Sequence, residues 1–226
     1  MIELQSTHLA ASTSGEGAAT RALVHLSAPD DLRWAGVHTL APRQTLDLAS
    51  GARHDVYVLS GELHERGHAH TAGGYFSRGH ALTLVAGPAG ARCFVYRDRV
   101  APRSGNETLA HDERVWFQGG ARGMGVAALS KMHHRLALVS WQPGTRTAPH
   151  THPHGEEIFV LSGELRDQRG AYHAGNWLRF HPGSGHAPYA EQETLILLRS
   201  GHLSSRPASA YPPPPSLRRP RRHPPS

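Results

Sequence analysis

Apolar residues in this chain fall in short runs, each cut off by glycine, proline or a polar turn. Leu136-Ala-Leu-Val-Ser-Trp141 is one run, ended by Pro143-Gly144. Ile158-Phe-Val-Leu161 is another, stopped by Ser162-Gly163, after which Leu165 resumes. Tyr172 to Phe180 alternates loosely, His181-Pro-Gly-Ser-Gly185 reads as a loop, and Leu195-Ile-Leu-Leu198 closes the series. No window carries the 3.6-residue period of a long amphipathic helix. Many short strands separated by Gly and Pro turns predict an all-β sandwich or barrel. Gly123 to Met132 fits a strand pair or a helical turn equally well.

The pattern occurs twice. Val58-Leu-Ser-Gly-Glu-Leu63 returns as Val160-Leu-Ser-Gly-Glu-Leu165, an offset of 102 residues. At that offset Ala72-Gly73 meets Ala174-Gly175, Tyr75 meets Trp177, and Asp55-Val56-Tyr57 meets Glu157-Ile158-Phe159. The chain therefore reads as two copies of one module, 21–100 and 112–204. A Ser-, Thr-, Ala- and Gly-rich lead-in (1–20) is expected to be loose, and 101–111 to be a linker. The tail, 205–226, carries Pro212 to Pro215 and two Arg pairs and is expected to be disordered.

Composition changes the picture in three places. The net charge is +6, but the tail holds five arginines and no acid, so the body stands near +1. A nearly neutral body argues against nucleic-acid binding. No apolar run approaches the ~20 residues of a membrane span, and no signal-peptide pattern opens the chain. The single Cys93 excludes an internal disulfide and suits a cytoplasmic protein. Nineteen histidines beside that one cysteine mean that any metal site uses nitrogen and oxygen ligands.

The densest chemistry lies in Gly144–Gly163. His150 and His152 are two apart, so on a strand they share a face. Glu156 keeps that parity, and the adjacent Glu157 faces the other way. His186, beyond the Pro182–Gly185 turn, can arrive from another strand as a fourth ligand. Three imidazoles and a carboxylate suit one divalent transition metal, Fe(II) or Zn(II) foremost, with Mn(II), Ni(II) and Cu(II) also compatible. Trp177 and Arg179 share a face. They either line the pocket, with Arg179 holding an anionic substrate, or pack on the barrel exterior. His64, His68 and His70 read as a solvated hairpin, and His133-His134 as an exposed strand end.

The spacing Gly144-x5-His150-x-His152-x3-Glu156-x6-Gly163 resembles the first cupin motif, and Gly175, Gly183 and His186 resemble the second. The pattern Asp167-x-x-Gly170-x-Tyr172-x-x-Gly175-x-Trp177-x-Arg179-x-x-Pro182-Gly-Ser-x-His186-x-Pro188 is similar to the cupin-like domain of ChrR-type anti-sigma factors and to related small cupin dioxygenases. The resemblance covers about 112–202 and reaches the first module only through the repeat. His181 stands where the second motif usually has Pro, and Ala190 where it often has Asn. The zinc-binding anti-sigma domain of ChrR-type factors has no counterpart in residues 1–110, whose only cysteine is Cys93.

The resemblance implies two cupin (double-stranded β-helix, jelly-roll) barrels in tandem, with His150, His152, Glu156 and His186 on the metal. At the 102 offset these four correspond to Leu48, Ser50, His54 and Leu84, so the first barrel is expected to pack rather than to bind metal. The expected function is a metal-dependent, dioxygenase-like oxidoreductase acting on a small oxygenated compound, with Trp177 and Arg179 at the substrate. The alternative is a non-catalytic zinc sensor like the ChrR cupin. No nucleic-acid or membrane partner is expected, and exposed sheet edges leave room for a homo-oligomer.

Overall fold

The computed structural model describes residues 2–6, 12–14, 21–101, 104–130 and 135–203. The expected tail disorder and the reading of His133-His134 fall outside the described residues. Every described element is a strand, and no helix is long and apolar enough to cross a membrane. In chain order the strands are β1 (Ile2–Ser6), β2 (Ser12–Ser14), β3 (Arg21–His25), β4 (Arg33–Leu40), β5 (Thr45–Leu48), β6 (Arg53–Glu65), β7 (His68–Thr71), β8 (Tyr75–Arg78), β9 (Leu82–Asp98) and β10 (Glu107–Leu109). They continue as β11 (Phe117–Gln118), β12 (Met124–Ala128), β13 (Arg135–Trp141), β14 (His150–His152), β15 (Glu156–Ser162), β16 (Glu164–Asp167), β17 (Gly170–His173), β18 (Asn176–Phe180), β19 (Ser184–His186) and β20 (Thr194–Ser200). Within Gly123–Met132, the strand alternative holds for Met124–Ala128.

The strands form two jelly-roll barrels in tandem. One is built on the sheet β10-β8-β6-β9-β4-β3-β2, with β5 on β9 and β7 on β6. The other is built on β1-β18-β15-β20-β13-β12-β11, with the hairpin pairs β14-β19 and β16-β17. The repeated Val-Leu-Ser-Gly-Glu-Leu motif does the same work in each. The ladder slips by a bulge between Val58 and Ser60 on β6 and between Val160 and Ser162 on β15. Glycine follows at φ +72° (Gly61) and +75° (Gly163), where a Cβ would lie 2.1 Å from the Gly90 carbonyl oxygen and 2.2 Å from that of Glu193. The two motifs flank a cleft of about 530 Å³ between the barrels.

Part of the lead-in expected to be loose, and part of the expected linker, are paired. β1 runs antiparallel to β18 of the second barrel, with Ile2 opposite Phe180 and Leu4 opposite Leu178. β10, within the expected linker, runs antiparallel to β8 of the first barrel. In each, a few alternating residues gain a complete ladder at a sheet edge, which short sequence windows do not announce. His70 also departs from the solvated-hairpin reading. It is buried and stacks on Phe76, ring centroids 4.1 Å apart.

Three apolar cores result. Val56, Val58, Leu63 and Phe76 fill the first barrel, and Ile158, Val160, Leu178 and Phe180 the second. A third joins the barrels: Tyr57, Tyr75, Phe94 and Tyr96 from the first pack with Leu138, Phe159, Trp177 and Leu197 from the second. Phe94 and Phe159 meet across it at 4.7 Å. Ion pairs are buried at its margin. Arg199 donates to Asp98 at 2.6 Å, and Arg179 to Asp31 at 2.6 Å and to the Arg33 carbonyl at 2.6 Å.

Truncating Phe94 to Ala should cost about 3–5 kcal/mol in urea unfolding, whereas Val100→Ala, half exposed, should cost under about 0.5 kcal/mol. Burial alone would raise the Asp98 pKa. Arg199, the Val100 and Ala101 amides and Arg33 outweigh it and hold the carboxyl below its ordinary 3.8. A depressed carboxyl stabilises the fold above its unfolded pKa, and that contribution is lost as pH falls below about 3.8 through the lower folded value. Asp98→Asn should therefore cost about 3–5 kcal/mol at neutral pH by leaving Arg199 unpaired. In urea titrations the gap to wild type should shrink below pH 4.

Candidate metal centre

β14 and β19 pair antiparallel with His150 opposite His186 and His152 opposite Ser184. That register needs close approach: a Cβ on Gly185 would sit 2.3 Å from the His150 carbonyl oxygen. Glycine there lets the two strands bring their imidazoles together. The rings of His150, His152 and His186 form a nearly equilateral triangle, with centroids 5.0, 4.9 and 4.9 Å apart. One ring nitrogen from each lies within 4.8 Å of the other two. Phe180 packs against the rings of His186 at 4.4 Å and His152 at 5.4 Å.

Glu156, at the start of β15, completes the group. Its Oε2 lies 3.4 Å from His152 Nδ1 and its Oε1 3.6 Å from His186 Nε2. The structure thus groups the three sequence-selected histidines and places Glu156 beside two of them. Glu157 faces away, 2.6 Å from Arg179 Nε and 3.1 Å from His202 Nε2.

Electrostatics prepare these groups as ligands. Burial, then His150, lowers His186 to about 4 despite Asp167. Burial likewise lowers His152. Both imidazoles are then neutral at pH 7 and offer lone pairs. Burial pushes the Glu156 carboxyl up to about 7, against the pull of His152 and His150. A cation in the site would reverse that upward shift. His152 Nε2 is buried without a hydrogen-bond partner, which is costly in a dry site and fits a position meant for a metal. The donor set, three nitrogens and one carboxylate oxygen, fits a divalent transition metal.

Two supports behind the ligands were not legible as such in the sequence. His150 Nδ1 lies 2.9 Å from the Ala148 carbonyl, so it donates there and leaves Nε2 as the ligand atom. Asp167 Oδ2 lies 3.6 Å behind His186 Nδ1. Asp167 is itself buried and accepts from the Tyr172 hydroxyl at 2.8 Å and the Arg169 amide at 2.7 Å. A carboxylate behind a ligating imidazole fixes its ring and raises its basicity. Asp167, which the ChrR-like pattern includes without a role, stands where it can orient the His186 ring.

Trp177 and Arg179 do not line this site. On β18 they alternate with Leu178 and Phe180, which face the barrel interior. Trp177 is buried in the core between the barrels. Arg179 stacks over it at 4.9 Å and is held by Glu157 and Asp31. The correction follows from strand parity: the face opposite Phe180 is the inter-barrel face.

The counterpart positions in the first barrel also need correcting. β5 pairs β9 with Leu46 opposite Leu84 and Leu48 opposite Leu82. His150 and His152 therefore correspond to Leu46 and Leu48, not to Leu48 and Ser50. The turn that follows is two residues longer in the first barrel, which hides the match at a fixed offset. All three leucines are buried in the barrel core, so apolar side chains fill the place of three imidazoles.

Residues 105–204 match the family model of the ChrR cupin-like domain. No curated protein matches the chain in sequence. Solved structures similar in fold include a protein from Nostoc punctiforme PCC 73102 provisionally described as a dioxygenase. It has a TM-score of 0.72 at 13% identity, over 94% of this chain and 87% of that one. YlbA of E. coli has a TM-score of 0.68 at 15% identity, covering 88% and 90%. A variant of Bacillus subtilis oxalate decarboxylase has a TM-score of 0.65 at 13% identity, covering 89% and 78%. At these identities the likeness shows the cupin fold.

Replacing His150 and His152 together with Ala should abolish metal uptake, read by elemental analysis, because one His and one Glu hold a divalent ion weakly. It should also remove the rise in melting temperature that metal gives by mass action. His54→Ala should leave metal content unchanged. Asp167→Asn should weaken metal affinity by about 10–100-fold.

Proposed function

We propose that this chain is a metal-dependent oxidoreductase of dioxygenase type, acting on a small oxygenated compound in the second barrel. One observation carries the reading. His152, Glu156 and His186 are buried, while His150 is exposed, so the four-residue site opens to solvent on the His150 side. A catalytic site must be reachable by substrate, and the His150 side supplies that access. The Nostoc punctiforme protein and the Mn(II) centres of Bacillus subtilis oxalate decarboxylase show what company the fold keeps.

His150, His152, Glu156 and His186 would hold the metal, which when bound would supply Lewis-acid and redox chemistry to a coordinated substrate. The chain's own contribution is positioning. Ala148 and Asp167 orient the imidazoles of His150 and His186. Phe180 walls the buried side and keeps water from it. Glu156 offers its carboxylate at a pKa near neutrality, so proton release accompanies metal uptake.

A second reading rests on the family match at 105–204. In it the same four residues hold zinc in a regulator without turnover, and oxidation of the site is the signal.

Iron-loaded protein should take up oxygen with a hydroxyketone, diketone or catechol-like compound, and H186A should abolish uptake. Uptake that survives H186A, or persists in metal-free protein, overturns the enzyme. Native zinc, no oxygen uptake with these compounds, and metal release on oxidant treatment would favour the sensor.

A further inference from the structure

The first barrel has lost the metal ligands but not the hollow at that end. A cavity of about 260 Å³ is lined by Trp34, Leu48, His54, Arg97 and Arg99, among others. Its chemistry can be read from the sheet register. Trp34 on β4 lies opposite Arg97 on β9, and Arg97 lies opposite His54 on β6. Directly opposed residues share a face, so these three form one row across three strands. Trp34 packs with the first-barrel core, so this row faces the barrel interior. His54 stands at the level that Glu156 holds in the second barrel, and Arg97 at that of Ser200.

Arg97 gives the row a positive charge, and its donors are incompletely satisfied. Arg97 donates from Nη2 to the Pro29 carbonyl at 2.6 Å, and its guanidinium lies over the Trp34 ring at 5.1 Å. Its Nε is buried without a partner. His54 is 1% exposed, and burial keeps it neutral with its N–H on the His80 backbone, so its unpartnered Nδ1 is a lone pair. Arg78, opposite His54 on the other side, is fully engaged by Glu65 at 2.6–3.0 Å and the Glu107 carbonyl. Asp47, also at the cavity, alternates with the inward Leu46 and Leu48 and accepts from Thr83 at 2.8 Å, so it does not neutralise Arg97. Burial, then Arg99, lowers the Arg97 pKa, with only Asp31 opposing. A buried donor left open beside a surplus of guanidinium charge calls for an anion. Leu23, Leu48 and Trp34 make one part of the wall apolar, and His25, His38 and Ser50 also line it.

We propose that the first barrel binds a small organic carboxylate, its anionic end on Arg97 and its apolar body against Trp34 and Leu48. The site is independent of the metal reading. The two barrels then use one frame for opposite charges, a cation in the second and an anion in the first.

Benzoate titrated into the full chain by calorimetry tests this. Binding should persist in the metal-site variant H150A/H152A. It should weaken about tenfold or more in R97M, which removes charge-assisted donors but keeps the length of the side chain. In wild-type protein the Arg97 Nε–H resonance should move on addition of benzoate, with no variant needed. An absence of benzoate binding overturns the proposal, as does binding unchanged by R97M or an Arg97 resonance that stays still. Binding lost in H150A/H152A would assign the ligand to the metal centre. Inorganic phosphate binding where benzoate does not would exclude an organic carboxylate.

Discussion

The alternation of a single strand, β15, ties the chemistry of this protein to its assembly. Glu156 and Glu157 are neighbours with almost no exposure, and the strand sends them to opposite faces. Phe180, Glu156 and Ser200 form one cross-strand row inside the barrel, and Arg179, Glu157 and Arg199 form the adjacent row between the barrels. Two buried carboxylates need different partners. Glu157 has Arg179, His202 and Arg199, and these outweigh burial to hold its pKa near 2. Glu156 has only imidazoles, and burial prevails at about 7. One is a fixed structural anion, the other a carboxyl open to a cation.

The first barrel shows what the same frame becomes when the imidazoles are replaced. Leu46, Leu48 and Leu84 sit where His150, His152 and His186 sit, and they pack rather than ligate. Three leucines in a barrel interior are stabilising without any ion, so this half does not depend on metal for its core. His54 is the one ligand-type side chain left, and burial lowers its pKa to about 4, so it stays neutral. The difference between the barrels thus lies in a few positions on strands whose register is otherwise shared.

The all-β class, the tandem repeat and the four-residue cluster were legible because each rests on local spacing. His-x-His fixes parity on a strand, and the Gly-rich turns fix where strands stop. What was not legible depended on which neighbour a face meets. Trp177 and Arg179 announce a shared face, but both faces of β18 are buried, so polarity could not say which looks inward. The pairing of β1 with β18 joins residues about 175 apart in sequence, a contact that no local pattern encodes. The match of Leu46 to His150 failed at a fixed offset because a two-residue difference in one turn displaces the register. Asp167 was visible only as one position of the family pattern, since its role lies in what stands 3.6 Å in front of it.

The row between the barrels also bears on why the barrel with the histidine cluster is paired with one that lacks it. Alone, the second barrel would expose Trp177, Phe159, Leu138 and Leu197 to water and strip Arg179 and Arg199 of Asp31 and Asp98. Exposing such an apolar face is unfavourable in proportion to its area, and unpairing buried charges adds to the cost. The strands that would loosen are β15, β18 and β20. β15 carries Glu156, and β18 ends in Phe180 against His152 and His186. A site held by side chains from several strands tolerates little movement in any one of them. The first barrel therefore acts as a fixed wall: by holding Glu157 and Arg179 in place, it holds Glu156 and Phe180 on the other face of the same two strands.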